Sequence, residues 1–259
     1  MAGTFADDAS TLLLPTQPDA QAIQIPLQDI LLGGYLLRPA HTTSLTPAMV
    51  LLHGYGGEAT ELLAPARLLA QAGYVALALS MRGWRGSGGT DDCGLNQVTD
   101  TVQAVAWLAQ QPNVATDRIG ILGISQGGQV ALLAATQTPD LKVVVAYKPV
   151  TDISAWKRTT TEPSIPDYIT NVCHNDQTGQ RSPIARVAQL HMPILLVHGD
   201  QDTRVPTEQS IHLAQLLRDA GQTVELRLLP GATHSFGGVG LKQAWAWTMD
   251  FLNHHLPVT

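Results

Sequence analysis

Short apolar runs alternate with segments of helical period along most of this chain. The runs are Ala48 to His53, Tyr74 to Ser80, Arg118 to Ile124, Lys142 to Tyr147, Pro193 to His198 and Thr223 to Leu229. Each is apolar enough to predict a strand buried on both faces, as parallel sheets require. Between them, Thr60 to Ala72 ends at Gly73, and Asn96 to Gln111 sets Val98, Val102, Val105 and Ala109 on one helical face ahead of Pro112. Thr207 to Ala220 stops at Gly221, and Leu241, Ala244, Trp245, Thr248, Phe251 and Leu252 form an amphipathic stripe near the carboxyl end. Strands alternating with helices predict crossover units and a mainly parallel sheet of about eight strands flanked by helices. Two earlier segments, Ile23 to Pro26 and Ile30 to Arg38, are broken by Gly33-Gly34 and bordered by prolines. They predict an antiparallel hairpin at the edge of the sheet.

Two stretches depart from this rhythm. Residues 1–20 show little periodicity and predict an irregular arm ahead of one domain over 21–259. Residues 148–192 hold prolines, threonines and lone aromatics, with only a short helix expected near Ile184 to Leu190. They predict an excursion over the active-site edge of the sheet. No repeat or linker calls for a second domain.

Composition narrows the function. The chain has 259 residues, 44% hydrophobic and 14% charged, with a formal charge of −6 and no basic run. Nucleic-acid and membrane partners are not expected. No apolar stretch reaches the ~18 residues of a bilayer span, and Met1 to Ser10 lacks the order of a secretion signal. A cytoplasmic protein is the expectation. Two cysteines, Cys93 and Cys173, are too few for a disulfide framework or a four-ligand zinc site, and neither metal nor cofactor is expected.

The chemistry centres on Gly123-Ile124-Ser125-Gln126-Gly127, where an apolar run meets a helix. Composition alone would yield roughly 0.08 such matches by chance. A sharp strand-to-helix turn exposes a serine hydroxyl as a nucleophile, and side chains two residues to either side would collide. A serine also needs a base, oriented by an acid. Two later loops could supply them. In His198-Gly199-Asp200-Gln201-Asp202, Asp202 is the candidate acid and Asp200 its rival. In Pro230-Gly231-Ala232-Thr233-His234, His234 is the candidate base, the one histidine on a loop after the last strand. The oxyanion donors would be the backbone N–H of Gln126 and that of Tyr55, in the loop His53-Gly54-Tyr55-Gly56-Gly57.

These four motifs in this order resemble the α/β-hydrolase fold, most closely its prolyl oligopeptidase and dienelactone hydrolase branch. The family pattern His-Gly-x-x-Asp-x-x-Val-Pro falls on His198, Gly199, Asp202, Val205 and Pro206, which selects Asp202 over Asp200. Arg82-Gly83 and the glycine-rich Gly86 to Gly89 match another family feature, in which Arg82 is structural. The resemblance implies a serine hydrolase with a Ser125, His234 and Asp202 triad. Prolyl oligopeptidases proper carry a propeller that this chain has no room for, and they commonly place tyrosine where Gln126 stands. Both differences favour a carboxylesterase acting on small to medium acyl esters over a peptidase of the same mechanism. A non-catalytic binding protein that keeps the fold is a third reading.

The substrate is expected between the loops at Tyr55 and Trp84, the excursion holding Trp156 and Tyr168, and Phe236; contacts are expected from Trp84, Trp156 and Phe236, each of which could equally be a core aromatic, and no contact is assigned to Tyr168. Cys93 and Cys173 lie on loops at the same end of the sheet. Free thiols are expected there, with a rim-closing disulfide as the alternative. A small-molecule ester is the expected partner. A sheet edge, the terminal helix or an apolar patch could support a homodimer.

Overall fold

The computed structural model describes residues 19–40, 45–174 and 177–258. The arm expected over residues 1–20 lies outside them except for its last two residues. Eight strands form one sheet: β1 (Gln21–Pro26), β2 (Leu31–Leu37), β3 (Thr46–Leu52), β4 (Val75–Leu79), β5 (Val114–Ile124), β6 (Leu141–Tyr147), β7 (Ile194–Gly199) and β8 (Val224–Leu229). Their spatial order is β1-β2-β4-β3-β5-β6-β7-β8. The β1–β2 hairpin is antiparallel, β2 meets β4 antiparallel, and every later neighbour is parallel. This is the predicted architecture, with the hairpin at one edge.

The sheet is covered on both faces because successive side chains point to opposite sides. Val50 and Leu52 of β3, Ile121 of β5, Ala146 of β6 and Leu196 of β7 belong to one buried cluster. It is closed by α2 (Asn96–Ala109), α3 (Gln126–Ala135) and α6 (Glu208–Asp219). Met49, Leu51, Leu122, Val145 and Val197 belong to the other, closed by α1 (Leu63–Gln71) and the carboxyl-terminal α7 (Gly237–His255). The predicted strand Thr223 to Leu229 is corrected in one respect. β8 is the far edge of the sheet, and of its residues only Leu229 is fully buried.

The excursion is more ordered than expected. It contains α4 (Ile153–Thr159) and α5 (Ile165–Asn171), and the expected helix near Ile184 is a 3₁₀ segment, Pro183–Gln189. Each α-helix is seven residues long, too short for periodicity to reveal. Their start signals are nonetheless in the sequence: Asp152 Oδ1 accepts from Ala155 N at 2.9 Å, and Pro166 stands in the first turn of α5. Ile153, Trp156, Ile165 and Ile169 bury themselves in a small third cluster with Val150 and Val205.

That cluster contains a disulfide. Cys93 and Cys173 are bonded, with Cα atoms 5.0 Å apart, so the expectation of free thiols is overturned. The bridge ties the end of the excursion helices to the loop before α2. Arg82 braces the same region from below. Buried after β4, its guanidinium pairs in fork geometry with Asp100 at 2.7 and 2.8 Å and with Asp29 at 2.6 and 2.9 Å.

Closing 80 residues of chain, the bridge removes conformational freedom from the unfolded state. Reduction, or replacement of both cysteines by serine, is expected to lower unfolding stability by about 2–4 kcal/mol in a denaturant titration. An unchanged midpoint would contradict a structural role for the bridge.

Candidate active site

Between β5 and α3 the backbone turns through a single residue, Ser125, at φ 57° and ψ −115°. A side chain in that left-handed region costs of order 1–3 kcal/mol, so the surroundings must hold it. They do. Ser125 N donates to Tyr147 O at 2.8 Å, and α3 begins at once with Gln126. The flanking glycines are obligatory on steric grounds. A Cβ on Gly123 would stand 2.1 Å from Gly127 O, and one on Gly127 would stand 2.4 Å from His53 O.

Three loops at the carboxyl ends of the strands bring the predicted residues together. Ser125 Oγ lies 3.1 Å from His234 Nε2, and His234 Nδ1 lies 2.6 Å from Asp202 Oδ2. The carboxylate can only accept, so Nδ1 carries the proton and Nε2 offers its lone pair to the serine hydroxyl. Asp202 Oδ1 accepts from the backbone N–H of Arg204 and of Val205, each at 3.0 Å. The rival Asp200 is occupied elsewhere, accepting from Gly231 N at 2.7 Å and so joining the two loops.

A further histidine supports the acid. His198 Nε2 lies 3.2 Å from Asp202 Oδ2 and 2.8 Å from Val205 O, both acceptors, so Nε2 carries its proton. The sequence places His198 at a strand end and at the head of the family pattern without giving it a role, and its spacing of four residues from Asp202 is the signal that points to one. The Asp202 side chain is wholly buried. Burial opposes its ionisation, but hydrogen bonds from His198 and His234 outweigh that and hold its carboxyl below the usual range. Burial lowers His234 to about 4; the Asp202 hydrogen bond works against that shift and the Lys148 charge with it.

Around Ser125 opens a cavity of about 440 Å³, of the size small-molecule sites have. Tyr55 and Gln126, the predicted oxyanion donors, both line it. Gln126 opens α3, where the first N–H groups have no carbonyl partner within the helix. His53 anchors the Tyr55 loop: its Nε2 accepts from Met81 N at 2.9 Å, so Nδ1 is the protonated nitrogen and donates to Gly54 O at 2.7 Å. Burial lowers His53 to about 4, which keeps that tautomer neutral.

Of the expected aromatic contacts, Trp156 and Phe236 line the cavity. Trp84, expected with them, does not line it. Its ring stands behind Tyr55, meeting it edge-on at 4.9 Å, and packs onto the core. Tyr168, to which no contact was assigned, also lines the cavity. It meets Tyr55 edge-on at 4.8 Å, and its hydroxyl donates to Asp91 Oδ2 at 2.8 Å while accepting from Gln126 Nε2 at 2.9 Å. Among the described residues, no three His, Cys, Asp or Glu side chains converge as they would around a metal ion.

Comparison with known proteins identifies the family and the fold. Residues 62–258 match the prolyl oligopeptidase family. The chain belongs to that family. The acylamino-acid-releasing enzyme of Mus musculus is 26% identical over 266 residues, which cover 94% of this chain and 36% of that enzyme. A Bradyrhizobium protein named "probable 2-oxo-3-(5-oxofuran-2-ylidene)propanoate lactonase" is 28% identical over 241 residues, 86% of this chain and 89% of its own length. The crystallised acylaminoacyl peptidase of Pyrococcus horikoshii superposes with a TM-score of 0.82 at 21% identity, over 94% of this chain and 43% of that one. The chain thus spans little more than a third of the first curated relatives it matches. Family match and superposition together establish membership of the prolyl oligopeptidase family and an α/β-hydrolase fold.

Because the atoms facing Gly123 and Gly127 are backbone, neither position can yield. Gly123→Ala is expected to cost about 3 kcal/mol or more in a denaturant titration and to abolish labelling of Ser125 by a fluorophosphonate. Wild-type stability in that variant would refute the steric reading of the turn.

Proposed function

We propose that this chain is a serine esterase cleaving small to medium acyl esters through an acyl-enzyme. The observation that carries the reading is the relay of short contacts from Ser125 through His234 to Asp202 at the floor of a cavity. In the proposed cycle the Ser125 hydroxyl attacks the ester carbonyl while His234 Nε2 takes its proton. Asp202 holds the imidazole in the required tautomer and stabilises the imidazolium. The backbone N–H groups of Gln126 and Tyr55 receive the developing oxyanion, each donor worth about 3 kcal/mol of barrier. His234 then returns the proton to the leaving alkoxide, and water repeats the sequence to free the acid.

The choice of ester over amide draws on the lactonase relative, since a lactone is a cyclic ester and that protein is matched along most of its length. The apolar walls at Trp156, Ile165 and Phe236 favour hydrocarbon groups on the substrate. A peptidase of the same mechanism is the second reading, favoured by the acylamino-acid-releasing relatives. The disulfide adds a point about setting. Such bonds persist in oxidising compartments, so Cys93–Cys173 weighs against the cytoplasmic expectation.

Ser125→Ala is expected to reduce hydrolysis of p-nitrophenyl butyrate by roughly four orders of magnitude or more without altering the unfolding midpoint. Matched N-acyl p-nitroanilides should turn over far more slowly than the ester in the wild type, whereas faster amide cleavage would install the peptidase reading. The depressed His234 also sets a pH limit. Its neutral, proton-accepting form survives below the ordinary histidine value, so the acid limb of kcat/KM should fall toward pH 4. A limb at or above pH 6.5 would contradict that role for His234.

A further inference from the structure

Lys148 follows β6 and sits beside the candidate base, yet the proposed cycle does not use it. Its backbone is in the left-handed region at φ 44°, a conformation that glycine would adopt without strain and lysine adopts at a cost. Its N–H is locked to Val197 O at 2.7 Å, and the residue is only 7% exposed. An ammonium in such a place needs acceptors. It finds two on one loop: Nζ donates to the main-chain carbonyl of His234 and stands 4.8 Å from the centre of the Phe236 ring. A strained lysine is therefore retained where a glycine would fit, and its side chain grips both ends of the short segment that presents the imidazole.

We propose that Lys148 is a positioning residue for His234, clamping the loop that carries the imidazole and, by its charge, keeping that imidazole free of a proton. The assignment rests on the hydrolase reading of His234 as the base. The loop needs such a clamp, because Phe236 and Gly237 both have left-handed backbones and α7 already begins at Gly237. The charge balance supports the second part. Facing His234 are Asp202 and, behind it, His198 from β7, Arg204 from the loop after β7, and Lys148 from the loop after β6. Arg204 is paired with Glu162 at 2.8 Å, which offsets its field. Lys148 is held by a neutral carbonyl and a ring, and among the described residues Asp202 is the one carboxylate whose charge acts on it, so Lys148 and Asp202 oppose one another at the imidazole. Asp202 draws a proton toward the base; Lys148 opposes that, and the Asp202 carboxylate keeps its orienting hydrogen bond while the base remains neutral. Burial lowers Lys148 to about 8, with Asp202 resisting that shift, so the ammonium persists throughout the acidic range in which the base would otherwise be lost.

The test is a titration of the His234 imidazole by NMR in histidine-labelled protein, the signal being identified by its loss in His234→Gln. Lys148→Met keeps the length of the side chain and removes its charge. It is expected to raise the His234 midpoint by about one pH unit and to move the acid limb of fluorophosphonate labelling of Ser125 upward with it. Lys148→Arg should keep the midpoint near that of the wild type. Lys148→Gly relieves the backbone strain, so it should fold even if the methionine variant does not, and it should show the same upward shift. A midpoint unchanged in the methionine and glycine variants overturns the proposal. The imidazole titrates whether or not the protein turns over an ester, so an inactive wild type would count against the hydrolase reading and leave this result to stand or fall separately.

Discussion

The reversal of the chain at Ser125 is the constraint on which the site depends. A parallel strand at the middle of the sheet must become a helix within one residue, and the two glycines allow it because backbone lies where their side chains would be. The same closeness couples two loops. Gly127 packs on the carbonyl of His53, and a Cβ on Gly54 would lie 3.5 Å from that of Ser125, so the serine and the loop bearing Tyr55 are set by one contact between α3 and the end of β3. The strain is small beside the burial of β3, β5 and β6 on both faces, which is why the site stands in the middle of the sheet rather than at its edge.

A second constraint is electrostatic. A wholly buried carboxylate would protonate if it stood alone, since burial penalises its charge. Asp202 instead accepts two backbone N–H groups on one oxygen and two imidazoles on the other. These donors come from β7, its following loop and the loop after β8. The charge therefore acts as a joint among three segments, and its need for donors explains why the loop must turn sharply through Val205 and why His198 is buried at the strand end. Stability and reactivity here have one cause: the donors that keep Asp202 ionised include the imidazole that Ser125 contacts.

Much of this was legible before any coordinates. The central strands were readable because burial on both faces removes polar residues, and the loops because elbow, acid and base are each tied to a strand end. What escaped had weak local signals. β8 reads like its neighbours in Thr223 to Leu229, and only the sheet order reveals it as an edge. Helices α4 and α5 are two turns each and are held by tertiary burial of Trp156 and Ile169, which period cannot register. Cys93 and Cys173 are 80 residues apart, and their approach follows from how the excursion folds back. Trp84 stands outside the cavity lining because sequence places a residue on a loop but not in front of or behind its neighbour.

The excursion also changes what Gln126 means. Its identity in place of tyrosine favours ester chemistry by resemblance, yet the side chain is buried and its amide nitrogen is engaged: Nε2 donates to Tyr168 Oη and to Asp91 Oδ1. Asp91 accepts in turn from Tyr168, Gln97 and the backbone of Cys93, and Cys93 is bonded to Cys173 at the far end of α5. Burial and the charge of Asp91 push the Tyr168 phenol up, so it stays a donor. The amide after the nucleophile is thus a pin for the helix that roofs the cavity. A tyrosine there could not donate to both partners at once, because it has one hydroxyl hydrogen where the amide has two. The Gln126 side chain thus holds this roof in place, and the oxyanion role proposed for the residue falls to its backbone N–H alone.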